Sequence, residues 1–520
     1  MDVASTLSAP APARSVRLRL SPVQLALALS AVALAVRVLG LSLRPLWLDE
    51  AYSAWFSSQS WHVLWTRVPT YEPHPPFYYS LLKCWRIIFG GTPEALRSFS
   101  VLLGVATVPL IMAASMELER LCPSGRPRLR AAIAGILASC SPMLVLLGQE
   151  TRPYPLLIFA YALAIVGILR LIREFAEGPG RWSSWSMVAV GTELGLWAHG
   201  LGLLYAFCIA AALVPSWLGR SPDRARLMRG SACIIIVASA YLPCLMMIMN
   251  RARDWGGSGW LTWKPEMMLQ LISLYTVPVE FLTVASAVAA LVMVILAKRS
   301  IAGAIARTGW NSDRALLLLW LGPPLLAALI SQVAIAVFLV RTLAATLVPA
   351  YLLMSGVIAR IDSSRERTAF AGALAIALLP STLGSALRPA TEQWNDVRDY
   401  LDRNVRPGDQ VWLYPNDSAL PLRSAGELHR LRGIPGDYPA IGIKGPIRAG
   451  SPAVVSMTAS DARKLVSDPS NRAIATIWLV TRQGQLFDPK GGIEGALTAE
   501  RRRGPGASWG YIEVQPYYRR

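Results

Sequence analysis

Charged residues are scarce in this chain. Only 16% of its 520 residues are Asp, Glu, Lys or Arg, whereas soluble globular proteins hold about a quarter. Apolar residues make up 53% of the sequence, and the mean hydropathy is +0.41. So much apolar surface exceeds what one core can bury, and part of it must face lipid. The composition excludes a disordered chain, a collagen-like repeat and a small disulfide-stapled domain.

The chain also lacks several motifs that would indicate a particular chemistry. The six cysteines include no CxxC pair, so the sequence indicates neither a disulfide framework nor a zinc knuckle. No GxxxxGK loop is present to hold a nucleoside triphosphate, and no Asp-x-Asp pair is present for a metal-bound nucleotide sugar. The sequence therefore gives no sign of nucleotide chemistry.

Long apolar runs fill the first three quarters of the sequence. Runs of this length can cross the hydrocarbon core of a bilayer as helices. We predict eleven membrane spans, at residues 22–41, 99–116, 131–147, 156–169, 184–197, 201–214, 232–249, 277–297, 315–339, 343–358 and 368–383. The predicted fold class is an α-helical polytopic membrane protein with a transmembrane domain at residues 1–387.

Basic residues occupy alternate loops between these spans. They are Arg14, Arg17 and Arg19; Arg120, Arg126, Arg128 and Arg130; Arg170, Arg173 and Arg181; Arg220, Arg224, Arg226 and Arg229; Lys298, Arg299, Arg307 and Arg314; and Arg360, Arg365 and Arg367. Because Lys and Arg accumulate in cytoplasmic loops, we predict an inner (plasma) membrane protein with a cytoplasmic N-terminus. The net charge of +19 (51 − 32) is dispersed among short loops, which excludes nucleic acid as a partner.

The composition changes beyond residue 387. Apolar and polar residues there alternate in patterns that predict helices at 394–405 and 461–466 and strands at 411–414 and 475–481. We therefore predict a small soluble α/β domain at residues 388–520, on the extracytoplasmic side.

Two adjacent carboxylates, Asp49 and Glu50, lie just past the first span, at the start of the external loop 42–96. Charges at a membrane boundary are costly unless they are solvated or functional. One interpretation is that Asp49 caps the following helix and Glu50 interacts with its dipole. The other is that one carboxylate is a general base. Adjacent helical residues point about 100° apart, so one should act and the other orient, and we assign the action to Asp49.

The rest of this loop is rich in aromatic residues and predicts two helices that lie in the membrane interface. The first carries Tyr52, Trp55, Phe56, Trp61 and Trp65. The second follows the prolines at positions 75 and 76 and ends near residue 89. His74 lies against that proline turn, so it is either an incidental surface residue or a substrate contact.

The segments WLDEAYSAWF and EPHPPFYYSLLKCW, followed by Arg97, resemble the first luminal loop of lipid-linked sugar transferases of the GT-C superfamily. The similarity is greatest to the bacterial branch related to protein O-mannosyltransferases and the aminoarabinose transferase of lipid A. GQETRPY at 148–154, AHG at 198–200 and VFLVRTLAATLVPAYLL around Arg341 fit the same family, as does the tail that opens with WNDVRDYLDRNVRPGDQVWLY. The resemblance implies a GT-C-like fold and a donor in which a sugar is joined to a polyprenyl phosphate.

The resemblance further implies an inverting hexosyl- or pentosyltransferase with an extracytoplasmic glycan, lipid or protein acceptor. Such a transfer needs a base for the acceptor and stabilisation of an anionic leaving group. Asp49 and Glu50 are the catalytic candidates, with Asp49 as the base. The candidates for binding the donor phosphate or lipid are Arg152, Arg341, His74 and Tyr154, supported by Glu72, Glu150 and His199. The resemblance leaves open whether a divalent metal contacts Glu72 or His199.

Three of these residues also have a purely structural interpretation. Arg152 could be an interface arginine that pairs with Glu150, Tyr154 could belong to an aromatic belt, and His199 could serve packing. The rival function is a transporter or flippase of lipid-linked sugars. The enzyme is favoured because the sequence shows no internal repeat and its polar groups gather at the external edge.

Overall fold

The computed structural model describes residues 20–70, 72, 74–219, 222–255, 263–275, 284–306, 310–426, 431–433, 459–488 and 490–520. Its helical part contains α1 (Pro22–Val38), α2 (Leu48–Ser58), α3 (Trp61–Thr66), α4 (Phe77–Phe89), α5 (Pro93–Leu121), α6 (Pro127–Ser139), α7 (Pro142–Gly148), α8 (Tyr154–Glu174), α9 (Trp182–Ala198), α10 (Gly202–Leu218), α11 (Arg224–Trp255), α12 (Val284–Ala306), α13 (Ser312–Val333), α14 (Leu347–Ala359) and α15 (Ser364–Ala386). Short 3₁₀ turns lie at Val68–Thr70, Pro265–Leu274 and Val340–Thr346.

Each predicted span overlaps a helix or a pair of helices, although the predicted spans 22–41 and 315–339 extend beyond the ends of α1 and α13. Within the described ranges six helices are long and apolar enough to cross a membrane, namely α5, α8, α11, α13, α15 and the segment Val340–Ala359 that contains α14. The α6–α7 pair adds a seventh if it is one bent span, and α1 and α10 are shorter apolar helices. The number of crossings stays a prediction. Residues 277–283 of one predicted span, and the predicted loop residues Arg14, Arg17, Arg19, Arg220 and Arg307, lie outside the described residues.

The predicted span 131–147 is two helices that meet at 52°, not one straight helix. Pro142 lies in the first turn of α7, where its missing N–H costs no helical hydrogen bond. Buried Arg37 of α1 donates to the carbonyl oxygens of Ala138 (3.2 Å) and Ser139 (3.1 Å) at the end of α6. The guanidinium thus satisfies carbonyls that the broken helix leaves without partners.

The described residues after α15 form a small α/β unit around a six-stranded sheet. Its elements are α16 (Trp394–Asn404), β1 (Gln410–Tyr414), α17 (Ala419–Ala425), β2 (Leu431–Gly433), α18 (Ala459–Ser467), α19 (Pro469–Arg472), β3 (Thr476–Arg482), α20 (Gly484–Phe487), α21 (Gly492–Glu500), β4 (Arg501–Arg503), β5 (Ala507–Trp509) and β6 (Ile512–Arg519). The strand order is β2-β1-β3-β6-β4, with β5 also paired to β6. β1 runs parallel to β2 and β3, whereas β6 is antiparallel to its neighbours. The predicted fold class is confirmed, and the domain boundary at residue 388 stays a prediction.

Both faces of this sheet are covered, because successive side chains of a strand point to opposite sides. Trp412 and Leu479 belong to one apolar cluster, whereas Val411 and Trp478 belong to the other. Leu420 of α17 instead joins the large apolar cluster of the helical part, and α17 packs against α2. The sheet unit is therefore seated beside the helix that carries Asp49.

Candidate functional site

Asp49 lies between two arginines from distant parts of the chain. Its Oδ2 is 3.3 Å from Nη2 of Arg341, in the turn before α14, and 3.6 Å from Nη2 of Arg152, just before α8. Nη1 of Arg152 also donates to the Asp49 backbone oxygen (3.1 Å). The helix begins at Leu48 with Trp47 as its N-cap, so the interpretation of Asp49 as the cap is wrong. The Asp49 side chain keeps 25% exposure.

Glu50 lies in a closed buried pair. Arg97 of α5 binds it with two donors, Nε to Oε1 (2.9 Å) and Nη2 to Oε2 (2.6 Å), and both side chains are 1% exposed. The Thr151 N–H donates to the same Oε1 (2.9 Å). Arg97 uses its remaining donors on the backbone oxygens of residues 41, 44 and 45. The pair therefore ties α2 to α5 and to the turn that carries Arg152.

Aromatic rings line the arginine pair. The Arg341 guanidinium lies 5.4 Å from the ring centre of Trp47 and 5.9 Å from that of Tyr154. The Arg152 guanidinium is also 5.9 Å from the Tyr154 ring. Tyr154 is buried, so its partners are cations and not lipid headgroups. This differs from the aromatic-belt interpretation of Tyr154.

Glu72, His74 and His199 form a group next to Arg152, in which His199 is buried and the side chains of Glu72 and His74 are 11% and 13% exposed. The two imidazole rings are 4.2 Å apart between their centres, and the His199 ring is 5.6 Å from that of Tyr154. Oε1 of Glu72 accepts from the Tyr79 hydroxyl (2.9 Å) and the His74 backbone N–H (3.3 Å). The structure therefore brings Glu72, His74 and His199 together beside the pair of Arg152 and Arg341.

The pKa values of the two histidines are lowered, whereas the pKa of Glu72 is raised. Burial lowers the pKa of His199 to about 3, helped by Arg152 and Arg341. Burial, His199 and the same arginines hold the pKa of His74 well below its usual range. Burial raises the pKa of Glu72 to about 7 against the effect of Arg152. Both histidines are therefore neutral at neutral pH, and Glu72 titrates there.

Several buried nitrogen atoms without a hydrogen-bond partner belong to the two arginines and to the rings grouped with them. Among the described residues they are Trp47 Nε1, His74 Nδ1, Arg152 Nε, His199 Nε2 and Arg341 Nε. Nδ1 of His199 accepts from the Leu201 N–H (3.0 Å), so its neutral ring carries the proton on Nε2. Buried polar groups are nearly always satisfied, and exceptions often mark functional sites. The indole N–H of Trp47, the two guanidinium Nε–H groups and Nε2–H of His199 are donors that suit an anion.

Glu150 lies in a neighbouring network. Its Oε1 pairs with Nη2 of Arg388 (2.9 Å), so the interpretation of Arg152 as a partner of Glu150 is wrong. Arg388 and Arg44 both donate to Oε1 of Gln149 (3.3 and 2.9 Å). The sequence prediction missed Arg388 and the cation contact of Trp47. Trp47 stands within the WLDE segment, whereas Arg388 is a single arginine after the last span with nothing local to mark it.

The sequence leaves open a divalent metal in contact with Glu72 or His199. Within the part of the chain that the structure describes, however, no three His, Cys, Asp or Glu side chains are arranged to hold a metal ion.

Several solved structures share this fold. ArnT from Cupriavidus metallidurans in the apo state has a TM-score of 0.61 and 12% identity over 94% of this chain and 97% of ArnT. The same protein bound to undecaprenyl phosphate gives 0.61 and 13% over the same shares. The oligosaccharyltransferase AglB from Archaeoglobus fulgidus, in complex with an inhibitory peptide and a dolichol-phosphate, gives 0.54 and 13% over 95% of this chain and 74% of AglB.

The arabinofuranosyltransferase AftD from Mycobacteria gives a TM-score of 0.53 and 17% identity over 96% of this chain and 40% of AftD, so the chain spans less than half of that protein. No family model and no curated protein matches the sequence. At these identities the likeness establishes the fold, and it confirms the GT-C-like fold that the first external loop implies.

Proposed function

We propose that this protein is an integral-membrane glycosyltransferase that moves one sugar from a polyprenyl-phosphate donor to an extracytoplasmic acceptor. The observation that carries the proposal is the clamp of Arg152 and Arg341 on one oxygen of Asp49, in which both Nε donors remain unused among the described residues. Structures of the same fold have been solved with undecaprenyl phosphate and with a dolichol-phosphate.

The clamp suits a lipid-linked phosphate. A polyprenyl donor enters sideways from the bilayer, with its phosphate at the membrane edge where the two arginines lie. Guanidinium groups bind phosphate oxygens through pairs of N–H donors, and the free Nε atoms add to those that face Asp49. As the phosphate takes these donors, it weakens the ion pairs that hold Asp49. The Asp49 carboxylate then becomes available as a base.

The reaction follows from these positions. Asp49 removes the proton from the acceptor group, whose lone pair attacks the anomeric carbon opposite the phosphate. The bond between that carbon and the phosphate oxygen breaks, and the configuration inverts. The electron pair leaves with the polyprenyl phosphate, whose charge Arg152 and Arg341 stabilise. Phosphate is a weak base, so the leaving group needs no general acid. Glu50 and Arg97 hold the first turn of α2 and thereby orient Asp49.

The proposal requires the site to open on the extracytoplasmic side of the inner membrane, with the N-terminus in the cytoplasm and residues 388–520 outside. An added cysteine at exposed position 60, introduced as Ser60→Cys together with Cys84→Ser, which removes the exposed native cysteine, should react with an impermeant maleimide on intact cells. Arg128→Cys, at an exposed position in the first turn of α6, should react only after permeabilisation. The reverse pattern would exclude this orientation.

The activity is tested with purified protein, labelled polyprenyl-phosphate sugars and a panel of acceptors. Asp49→Asn should slow transfer about 100- to 10,000-fold, the range for loss of a general base. The matched control is Asp362→Asn, an exposed carboxylate between α14 and α15. Full transfer by Asp49→Asn removes Asp49 from the mechanism. In liposomes, transbilayer movement of the donor without a new glycosidic bond would favour the transporter.

A further inference from the structure

The sheet of the C-terminal unit has an edge of the kind that binds ligands. β1 and β3 are parallel neighbours, so their carboxyl ends lie at the same edge. The turn Asn416–Ser418 follows β1, and Arg482 ends β3. Ligands of open α/β sheets bind outside the carboxyl ends of parallel strands. The edge defined by Asp417, Ser418 and Arg482, here called the carboxyl edge, is therefore a candidate site.

The carboxyl edge is joined to the first turn of α2. Glu392 accepts a hydrogen bond from the backbone N–H of Leu48 (3.0 Å), the residue directly before Asp49. The other oxygen of Glu392 is 3.4 Å from Nη1 of Arg482, whose Nη2 is 3.8 Å from Oδ2 of Asp417. A continuous buried chain of polar contacts thus runs from the turn of Asp49 to the carboxyl edge.

Two polar groups on the carboxyl edge have unused hydrogen-bonding capacity. Asp417 is 4% exposed and Ser418 is fully buried. Neither Oδ1 of Asp417 nor Oγ of Ser418 has a hydrogen-bond partner among the residues that the structure describes. Burial raises the pKa of Asp417, and the charge of Asp49 is among the neighbours that act on it. Unsatisfied groups of this kind fit a surface that receives a polar ligand.

We infer that the carboxyl edge is the acceptor side of the active site and that the acceptor is a sugar. This inference rests on the proposed transferase function and specifies its acceptor. A carboxylate accepts hydrogen bonds from hydroxyl groups, and a serine hydroxyl both donates and accepts. Asp417 and Ser418 therefore bind adjacent hydroxyls of a pyranose or furanose. The acceptor hydroxyl that reacts is left facing Asp49.

The inference is tested by acceptor kinetics at saturating donor. The probes are octyl glycosides of hexoses and pentoses, compared with a peptide that contains Ser and Thr but no sugar. Asp417→Asn and Ser418→Ala should each raise the KM for the octyl glycoside about tenfold, the effect of one lost hydrogen bond of this type. The KM for the donor should stay unchanged. The matched control is Asp396→Asn, an exposed carboxylate on α16.

Ser418→Ala is the variant least expected to disturb folding, because the Ser418 hydroxyl makes no hydrogen bond within the described residues that the substitution would remove. An unchanged glycoside KM in both variants, with transfer intact, overturns the inference and leaves the proposed function standing. Transfer to the sugar-free peptide with the same KM in all variants also overturns it. Absence of any transfer or donor hydrolysis by the wild type is a different result, because it contradicts the transferase function itself.

Discussion

Asp49 and Glu50 are adjacent in sequence and in the same helical turn, yet their surroundings differ. Glu50 is 1% exposed and bound by two donors of Arg97, a closed arrangement in which each carboxylate oxygen has a partner. Asp49 is 25% exposed and held at longer distances by two arginines that keep unused donors within the described residues. The satisfied pair holds the fold, and the unsatisfied group is available for chemistry.

We therefore expect Glu50 to contribute mainly to stability and Asp49 mainly to activity. Glu50→Gln should cost about 3–5 kcal/mol of stability, because it leaves Arg97 as a buried charge without a full partner. Asp49→Asn should lower the melting temperature far less, because its carboxylate is partly solvated. Thermal unfolding in detergent measures both variants. Equal melting temperatures for Glu50→Gln and the wild type would contradict the structural role of Glu50.

The arginine clamp should depend on guanidinium geometry as well as on charge. Arg152→Lys and Arg341→Lys keep the positive charge but lose the paired N–H donors, so the KM for the donor should rise roughly 10- to 30-fold. Arg388→Lys is the matched control, since Arg388 pairs with Glu150 in the neighbouring network. Donor titration of wild type and variants gives the values. Comparable losses in all three variants would show that the clamp has no special role.

We expect Glu392 to affect catalysis by fixing the start of α2 and thereby the position of Asp49. It accepts from the Leu48 N–H and from the indole N–H of Trp394 (2.7 Å), and so fixes the start of α2. Glu392→Gln keeps an acceptor for Leu48 but loses the charge that pairs with Arg482. We expect kcat to fall about fivefold, because a small displacement of the base slows reaction, with the donor KM unchanged.

A KM-against-kcat analysis of Glu392→Gln separates positioning from general damage. Glu392→Asp should restore part of kcat because it returns the charge. A rise in the donor KM without a change in kcat would instead place Glu392 on the donor side and contradict its link to Asp49.

The strongly apolar spans predict the helices, whereas the grouping of Asp49, Arg152 and Arg341 in one site follows from the family resemblance, since Arg341 is 292 residues from Asp49. In the α/β unit, short-range periodicity predicts α16, β1, α18 and β3, whereas the remaining elements of the unit are not predicted. The partners of Glu50 and Glu150 were not predictable in the same way. Arg97 and Arg388 reach these carboxylates only through helix packing, across 47 and 238 residues of chain. The bend before Pro142 did have a local signal in its Ser-Pro step, which the hydropathy pattern concealed.

The smallest expected effect is a pH dependence of donor binding that arises from Glu72. Its pKa is raised to about 7 by burial, so it is neutral below that pH and negatively charged above it. Arg152 and Asp49 are the charged groups that act on it, the Tyr79 hydroxyl donates to it, and His74 beside it is neutral. Charging Glu72 offsets part of the positive potential of Arg152. A donor phosphodiester keeps one negative charge throughout, so its affinity should fall as pH rises from 6 to 8.

One added charge at several ångströms in a high effective dielectric weakens binding by about three- to fivefold. Glu72→Gln removes the titrating group while keeping an acceptor for Tyr79, so donor affinity in this variant should be constant between pH 6 and 8. Donor titration at intervals across this range measures both profiles. An affinity that rises with pH in the wild type would have the wrong sign for a carboxylate beside the arginine clamp. An equal slope in Glu72→Gln would assign the titration to another group.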